Sequence, residues 1–341
     1  MKKQRMEELL SRFGNLHIAV AGDLFLDRWY EIDPALDEPS VETGLTAWQV
    51  VRKRAAAGAA GTILNNLSAL GVGRLTVLSM VGADGDGWEM RQLLQQAGVD
   101  TAHLHTSNAI VTPSYVKPLF PAEGNRLDIK NFAPTPRVLE DALIRSLETV
   151  LSGDCDALML LDQVCEANTG VLTARVRNAV ADMASRYPDK LIFADSRAYI
   201  HCYRNVCIKC NNYEAARMTG RAVAEGDFSP ETVFAAMKDL RARTDHPVIV
   251  TCNRHGIAVE EKGHYHVVPA ARQTGVIDVC GAGDASTAGM LSALAAGATF
   301  AEAAFMGNLT AGVTVRKIGC TGTASPAELR ALYAEQWEGC P

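Results

Sequence analysis

The 341 residues carry a net charge of −6 and no basic run longer than Arg52-Lys53-Arg54, which excludes a nucleic-acid or anionic-membrane surface as the main partner. With 48% apolar and 21% charged residues the composition is that of a folded globular chain, long enough for one large α/β domain, and no apolar run approaches a membrane span. Nine cysteines, an odd number without regular spacing, point to reduced thiols in a cytoplasmic protein that recognises a small ligand.

In chain order, residues 1–14 are charged and helical in pattern, and the first apolar strand, 17–21, runs into Gly22-Asp23-Leu24-Phe25-Leu26-Asp27-Arg28. Acidic groups just past the C-terminal end of a strand lie where α/β sheets bind ligands. A carboxylate can accept from two sugar hydroxyls, so Asp27 is a candidate substrate anchor, with a solvated turn acid as the plain alternative. Residues 28–54 lack helical periodicity, carry Pro34 and Pro39 and end in an extended stretch. Residues 110–132 are a second extended insertion, and insertions of this length are more often lids or interfaces than passive loops.

Between them, Ala55-Ala56-Ala57-Gly58-Ala59-Ala60-Gly61 leads to a helix over 62–70 that Gly71 stops. A buried strand over 75–81 and a turn at 82–87 precede a helix over 88–97, and Asp84 and Asp86 have the wrong spacing for a calcium loop. In the second insertion Arg126 and Asp128 are two apart, so a strand places both on one face, as a lid with a polar inner surface requires.

The remainder alternates: helix 136–151, strand 157–161, helix 169–186, strands 191–194 and 206–209, two helices, strand 248–251 and a hairpin within 256–268. Apolar runs interleaved with helices predict a parallel sheet covered on both faces. Its strand exits carry Asp162-Gln163, Asp195-Ser196-Arg197, Asn211 to Glu214 and Thr251 to Arg254, which therefore converge on one rim. Cys207 and Cys210 form a C-x-x-C, but residues three apart on a strand face opposite ways, so a metal or redox pair is not expected.

The chemistry concentrates in Asp278-Val279-Cys280-Gly281-Ala282-Gly283-Asp284, placed between an expected strand ending and a small-residue helix over 285–296. Glycines let backbone N–H groups crowd around an oxyanion, the helix adds its positive end, and Asp284 offers a carboxylate to accept a proton. That outlines a phosphoryl-transfer site. The plain alternative is a strand-to-helix turn with Asp284 as an N-cap.

This segment resembles the C-terminal signature of the ribokinase/PfkB family of carbohydrate kinases, with Cys280 where that family has Thr. Gly22 to Arg28 is most similar to the branch that phosphorylates heptose 7-phosphate. Ala57 to Gly61 resembles the N-terminal Gly-Gly-x-x-Asn, with Gly58 kept and Gly61 in place of the sugar-binding Asn, a loss expected to leave room for a larger substrate or a water. Asn211-Asn212-Tyr213-Glu214 resembles the Asn-x-x-Glu motif that acts on magnesium and phosphates. Thr251 to Gly256 resembles the family's nucleotide turn, with Asn253 at its first Gly. Asn308, Ala311-Gly312 and the turn Lys317-Ile318-Gly319-Cys320-Thr321 resemble its adenine side.

The resemblance implies a single ribokinase-like domain over 1–341, a three-layer α/β/α sandwich with a mostly parallel central sheet and a small β-sheet lid from 28–54 and 110–132. It implies ATP and Mg2+, with a monovalent cation left open, and transfer of the γ-phosphoryl to a hydroxyl of a sugar or sugar phosphate such as a heptose 7-phosphate. Asp284 would be the base, and the N–H groups of Gly281, Ala282 and Gly283 would stabilise the transferring group. Asn211, Thr251, Gly256 and Asn308 would hold the nucleotide, Glu214 the metal, and Asp27, Gly58 and Arg126 the acceptor. The lid would join a homodimer. A nucleoside kinase of the same fold is one alternative. A sugar- or nucleotide-binding regulator is the other, suggested by Gly61 and Asn253. No Walker lysine motif supports a P-loop kinase.

Overall fold

The computed structural model describes residues 1–120, 122–222 and 228–338; Pro121 of the second insertion and Cys340 lie outside the described residues. The chain opens with α1 (Lys3–Arg12) and β1 (His17–Gly22), then leaves the core for β2 (Leu24–Ile32), β3 (Glu38–Pro39), β4 (Thr46–Ala47) and β5 (Val50–Ala59). It returns through α2 (Ala60–Ala69), β6 (Arg74–Gly82), α3 (Gly85–Gln96) and β7 (Val99–Ser107), and departs again for β8 (Ser114–Phe120), β9 (Ala122–Glu123) and β10 (Leu127–Ile129). Next come α4 (Arg137–Leu151), β11 (Ala157–Asp162), α5 (Ala174–Arg186), β12 (Leu191–Ser196), β13 (Cys207–Asn211), α6 (Asn212–Met218), α7 (Pro230–Thr244) and β14 (Val248–Thr251). The hairpin β15 (Ile257–Glu261) and β16 (His264–Val268) precedes α8 (Ala282–Ala295), α9 (Phe300–Thr314) and α10 (Pro326–Trp337).

The central sheet has nine strands in the order β16-β15-β14-β13-β12-β11-β1-β6-β7. It is parallel from β14 to β7 and antiparallel only at the hairpin. Side-chain alternation divides the core: Ile18 and Val20 pack under α1, α2, α8, α9 and α10, whereas Ala19 and Ala21 face α4, α5 and α7. These are the three layers of an α/β/α sandwich. Strand order reverses at β1, between β6 and β11, which is where such sheets open a ligand crevice.

A second sheet, β10-β8-β2-β5 with β9 on β8, is built from the two insertions. Its β5 takes in Ala55 to Ala59, a stretch of poor strand formers, because β2 offers a continuous partner from Leu24↔Ala59 to Glu31↔Arg52.

Three expectations change. Residues 269–281 form no strand: Val276 and Val279 are exposed, Gly275 has φ 93°, and Asp278 N–H donates to Val315 at the end of α9. The helix expected from 169 begins at Ala174, because Val171 N–H is taken by Asp23, Asn168 has φ 61° and Thr173 supplies the N-cap. The helix expected from 62 begins at Ala60, directly after Ala59 turns the chain with φ 53°. Cys207 and Cys210 lie in opposite halves of the core, as their spacing predicts.

Candidate active site

Gly281 is the N-cap of α8 with φ 74°, a conformation that suits a residue without Cβ, and the methyl of Thr321 packs against it. Asp278 pins the loop from below: its carboxylate accepts from Cys280 N and Gly319 N, each at 2.9 Å, and these bonds hold it below the usual carboxylate range. Ala282 N–H is committed to the Val279 carbonyl at 3.1 Å, so it is not free to face a phosphoryl group. Among the described residues Gly281 and Gly283 N–H carry no such bond. Asp284 is the third residue of the helix, not its N-cap, which disposes of the plain alternative for this acid.

Beneath the loop lies a charged floor. Asp195 and Lys209 are register partners on β12 and β13, and the ammonium meets the carboxylate at 2.7 Å with both side chains buried. Burial pushes the Asp284 carboxyl up to about 7, Asp195 adds to the shift, and Lys209 and Arg197 oppose it. Burial, then Asp195, also raises Glu214. Asn211 and Glu214 close a capping box: Glu214 N–H donates to Asn211 Oδ1 and Asn211 N–H to Glu214 Oε2, each at 2.8 Å. Both motif residues therefore serve the helix as well.

One side of the loop opens on a cavity of about 780 Å³ walled by Asn212, Thr251, Gly256, Ile277, Gly283 and Asn308. Asn212 lines it in place of the expected Asn211. Gly256 has φ 105° and a Cβ there would overlap the Val268 carbonyl, while Asn253 takes the positive φ, 50°, expected at the turn's first glycine position. The Asn308 amide donates to Val268 and Pro269 carbonyls at 2.8 and 3.1 Å and so fixes the cavity's far wall to α9. Thr251 Oγ1 makes only a 3.4 Å contact with Cys210 O.

A narrow cleft of about 100 Å³ lies at the strand-order reversal, walled by Asp23, Phe25, Tyr115, Lys130, Gln163 and Arg197; no residue of the loop lines it, and Arg197, which acts on Asp284, is its link to the loop. Asp23 is buried, which raises its pKa, and accepts from Gln163, Val164 and Val171 N–H at 2.8, 3.0 and 2.7 Å, shaping the loop after β11. Asp27 pairs with Lys117 at 3.0 Å, and the ammonium lies 4.7 Å from the Trp29 ring centre. Gly58, the register partner of Phe25, lies diagonal to Asp27 on β5, where any Cβ would overlap the Asp27 carboxylate. Neither lines the cleft, but Tyr115, the register partner of Asp27, does. Arg126 is exposed, bonded to Asp128 at 2.5 and 2.9 Å, and stacked 4.0 Å over Tyr115. Tyr115 in turn stacks on Phe25.

Gly61 corrects an expectation. A Cβ there would overlap the Cβ of Ala57, so the methyl of Ala57 fills the space and neither water nor a larger substrate gains room at that point. Sequence reasoning gave Arg197 no role beyond its place at a strand exit and overlooked Lys209, whose signal is a lysine inside an otherwise apolar strand.

A model of pfkB family carbohydrate kinases matches residues 31–328. Bifunctional protein HldE of Trichlorobacter lovleyi is 29% identical over 338 residues, covering 98% of this chain and 66% of that protein. Bifunctional protein HldE of Hyphomonas neptunium is 30% identical over 339 residues, covering 97% and 66%. The chain therefore spans just under two thirds of the length of these relatives. Phosphofructokinase-2 from Escherichia coli in complex with potassium superposes with a TM-score of 0.73 at 17% identity, over 94% of this chain and 99% of that one. Arabidopsis thaliana ribokinase complexed with ribose and ATP gives 0.68 at 16%, over 93% and 98%. The fold is ribokinase-like, and the chain belongs to the pfkB family of carbohydrate kinases.

Proposed function

We propose that the protein transfers the γ-phosphoryl of ATP to a hydroxyl of a sugar or sugar phosphate, with a heptose 7-phosphate as the first acceptor to try. The observation that carries this reading is the turn at the start of α8, where Ala282 and Gly283 line a nucleotide-sized cavity and the next residue, Asp284, feels Arg197, a wall residue of the cleft at the strand-order reversal. Asp284 takes the hydroxyl proton. Gly281 and Gly283 N–H groups and the helix end stabilise the transferring group. Thr251, Gly256 and Asn308 shape the nucleotide wall, and Asp27, set by Lys117 and Gly58, orients the acceptor under the second sheet, which acts as a lid. Arg126 completes that lid above Tyr115.

The donor set suits a magnesium ion carried by nucleotide phosphates: among the described residues no cluster of three acidic, His or Cys side chains could cage a metal, whereas Asp195, Glu214 and Asp284 give the floor an acidic surplus. Glu214 would reach such an ion through water. The ion would neutralise charge on the phosphates. Dependence on a monovalent cation belongs to the same assays.

Support for the heptose 7-phosphate comes from the wording of Gly22 to Arg28 and the HldE relatives. The lid also exposes Leu45, Trp48 and Val51 beside the edge strand β5, a surface suited to a second copy of the chain. Sedimentation should give a dimer that Val51→Lys weakens. No helix among the described residues is long and apolar enough to cross a membrane, and ATP use with free thiols suits a cytoplasmic protein. ADP formation scored over sugars, sugar phosphates and nucleosides tests the proposal. Turnover with a sugar or sugar phosphate is expected, and turnover with nucleosides alone would replace the acceptor class.

A further inference from the structure

Most polar side chains in the wall of the cleft at the strand-order reversal are already committed to the protein itself. Asp23 accepts from three loop N–H groups, and Lys130 pairs with Asp128 at 3.6 Å. The Asn131 amide closes on the main chain of Val111, and the Thr135 and Thr169 hydroxyls donate to the Gly170 and Glu166 carbonyls. Among the described residues, the side chains of Gln163 and Arg197 make no hydrogen bond or ion pair, although both line the same cleft. Glu166 is uncommitted too, but it sits in the exposed run 165–168, four residues past the end of β11.

Gln163 and Arg197 are neighbours. Asp162 and Ser196 are the last register partners of β11 and β12, so the next residues on these parallel strands stand side by side. Arg197 N–H donates to the Asp162 carbonyl at 3.0 Å, and Gln163 N–H donates to the Asp23 carboxylate at 2.8 Å. Beneath them the buried Asp162 carboxylate accepts from Arg177, Ser196 and Tyr203 at 3.2, 3.0 and 3.1 Å. The main chain of both residues is therefore fixed before a ligand arrives, which lowers the ordering cost of binding through their free ends.

We infer that Gln163 and Arg197 form a two-point reader of the acceptor, in which Arg197 takes a phosphate of the substrate and Gln163 a neighbouring hydroxyl. The inference deepens the acceptor reading given above and rests on it. A guanidinium presents paired N–H groups that match phosphate oxygens, and a Gln amide both donates and accepts, as a hydroxyl requires. The pair selects sugar phosphates over neutral sugars.

The test is calorimetric titration of the full chain, without nucleotide, with glucose 6-phosphate, fructose 6-phosphate, ribose 5-phosphate and a heptose 7-phosphate, each beside its unphosphorylated sugar. At least one phosphate should bind about tenfold or more tightly than its parent sugar. Arg197→Gln should cut that preference by about tenfold to a hundredfold, and Arg197→Lys, which keeps the charge but not the fork, should recover only part of it. Gln163→Glu sets a carboxylate beside the guanidinium and should weaken the phosphates more than their parent sugars, whereas Gln163→Leu should weaken both alike. Mg·ATP affinity should stay within a few-fold in all four variants. A merely structural role would lower acceptor and nucleotide affinity together and leave the preference unchanged. The inference is overturned if no phosphate binds more tightly than its parent sugar, if the preference survives Arg197→Gln, or if that variant loses Mg·ATP instead. Titration needs no turnover, so ADP formation with an unchanged preference sinks the reader alone, and a lost preference without ADP formation from any acceptor sinks the kinase reading alone.

Discussion

The two halves of the proposed site, one for the nucleotide and one for the acceptor, are made of different materials. On the nucleotide side the shaping is done by main chain: positive φ at Asn253, Gly256 and Gly281, and carbonyls gathered by Asn308. On the acceptor side it is done by side chains that meet across strands, Asp27 with Lys117 and Arg126 with Tyr115. Main-chain shaping tolerates substitution wherever the backbone angle is still reachable, which is why Asn253 can stand at a glycine position. Side-chain shaping does not, because each pair is set by two particular groups. The nucleotide side should therefore be robust and the acceptor side easy to retarget.

The largest break in that comparison is at the boundary itself. Asp284→Asn should lower turnover by about 10² to 10⁴ while ATP affinity, read by titration calorimetry, stays within a few-fold. Its stability should not suffer. An acid raised from 3.8 to about 7 in the folded state contributes stability only while protonated and loses it as pH rises through that window, so the neutral amide should melt no lower than wild type above neutral pH.

On the acceptor side alone, Asp27→Ala should raise the acceptor KM by about tenfold to a hundredfold with the ATP KM unchanged, since a charge-assisted hydrogen bond contributes roughly 1.5–3 kcal/mol. Equal changes in both KM values would mean that the two sides are not separable.

Smaller still is a packing test. Gly61→Asn should cost about 1–3 kcal/mol in chemical denaturation because its Cβ meets Ala57, and Ala57→Gly in the same chain should recover most of it. Purely additive losses would place the crowding elsewhere.

Arg126→Ala should change the acceptor KM by about fivefold or less, because the guanidinium is exposed and already bound to Asp128. A larger effect would promote Arg126 to a main anchor.

The sequence displayed the two sides unequally, for the same physical reason. Strand and helix alternation made the sandwich readable, and Gly-Ala-Gly-Asp and Asn-x-x-Glu marked the loop and the capping box because local motifs depend on spacing. The Ala55–Ala59 strand escaped notice because alanine and glycine have no strand preference; only pairing with β2 makes it one. The stretch just before Asp278 reads as a strand ending because apolar composition does not reveal whether an edge is available, and here Val276, Ile277 and Val279 turn to the surface. Lys117 and Lys209 depend on partners 90 and 14 residues away, which no local pattern encodes. Ala57 and Gly61 looked like two separate departures from a family pattern and proved to be one exchange of volume.

The most direct test of Asp284 as the base is the pH dependence of acceptor-dependent ADP formation, measured for the wild-type chain and Asp284→Asn together. Catalysis by the ionised carboxylate predicts that the wild-type rate falls about tenfold per pH unit below about 7, and that the variant is slow with no such limb. A variant that turns over within a few-fold of wild type and keeps the same acid limb would contradict it.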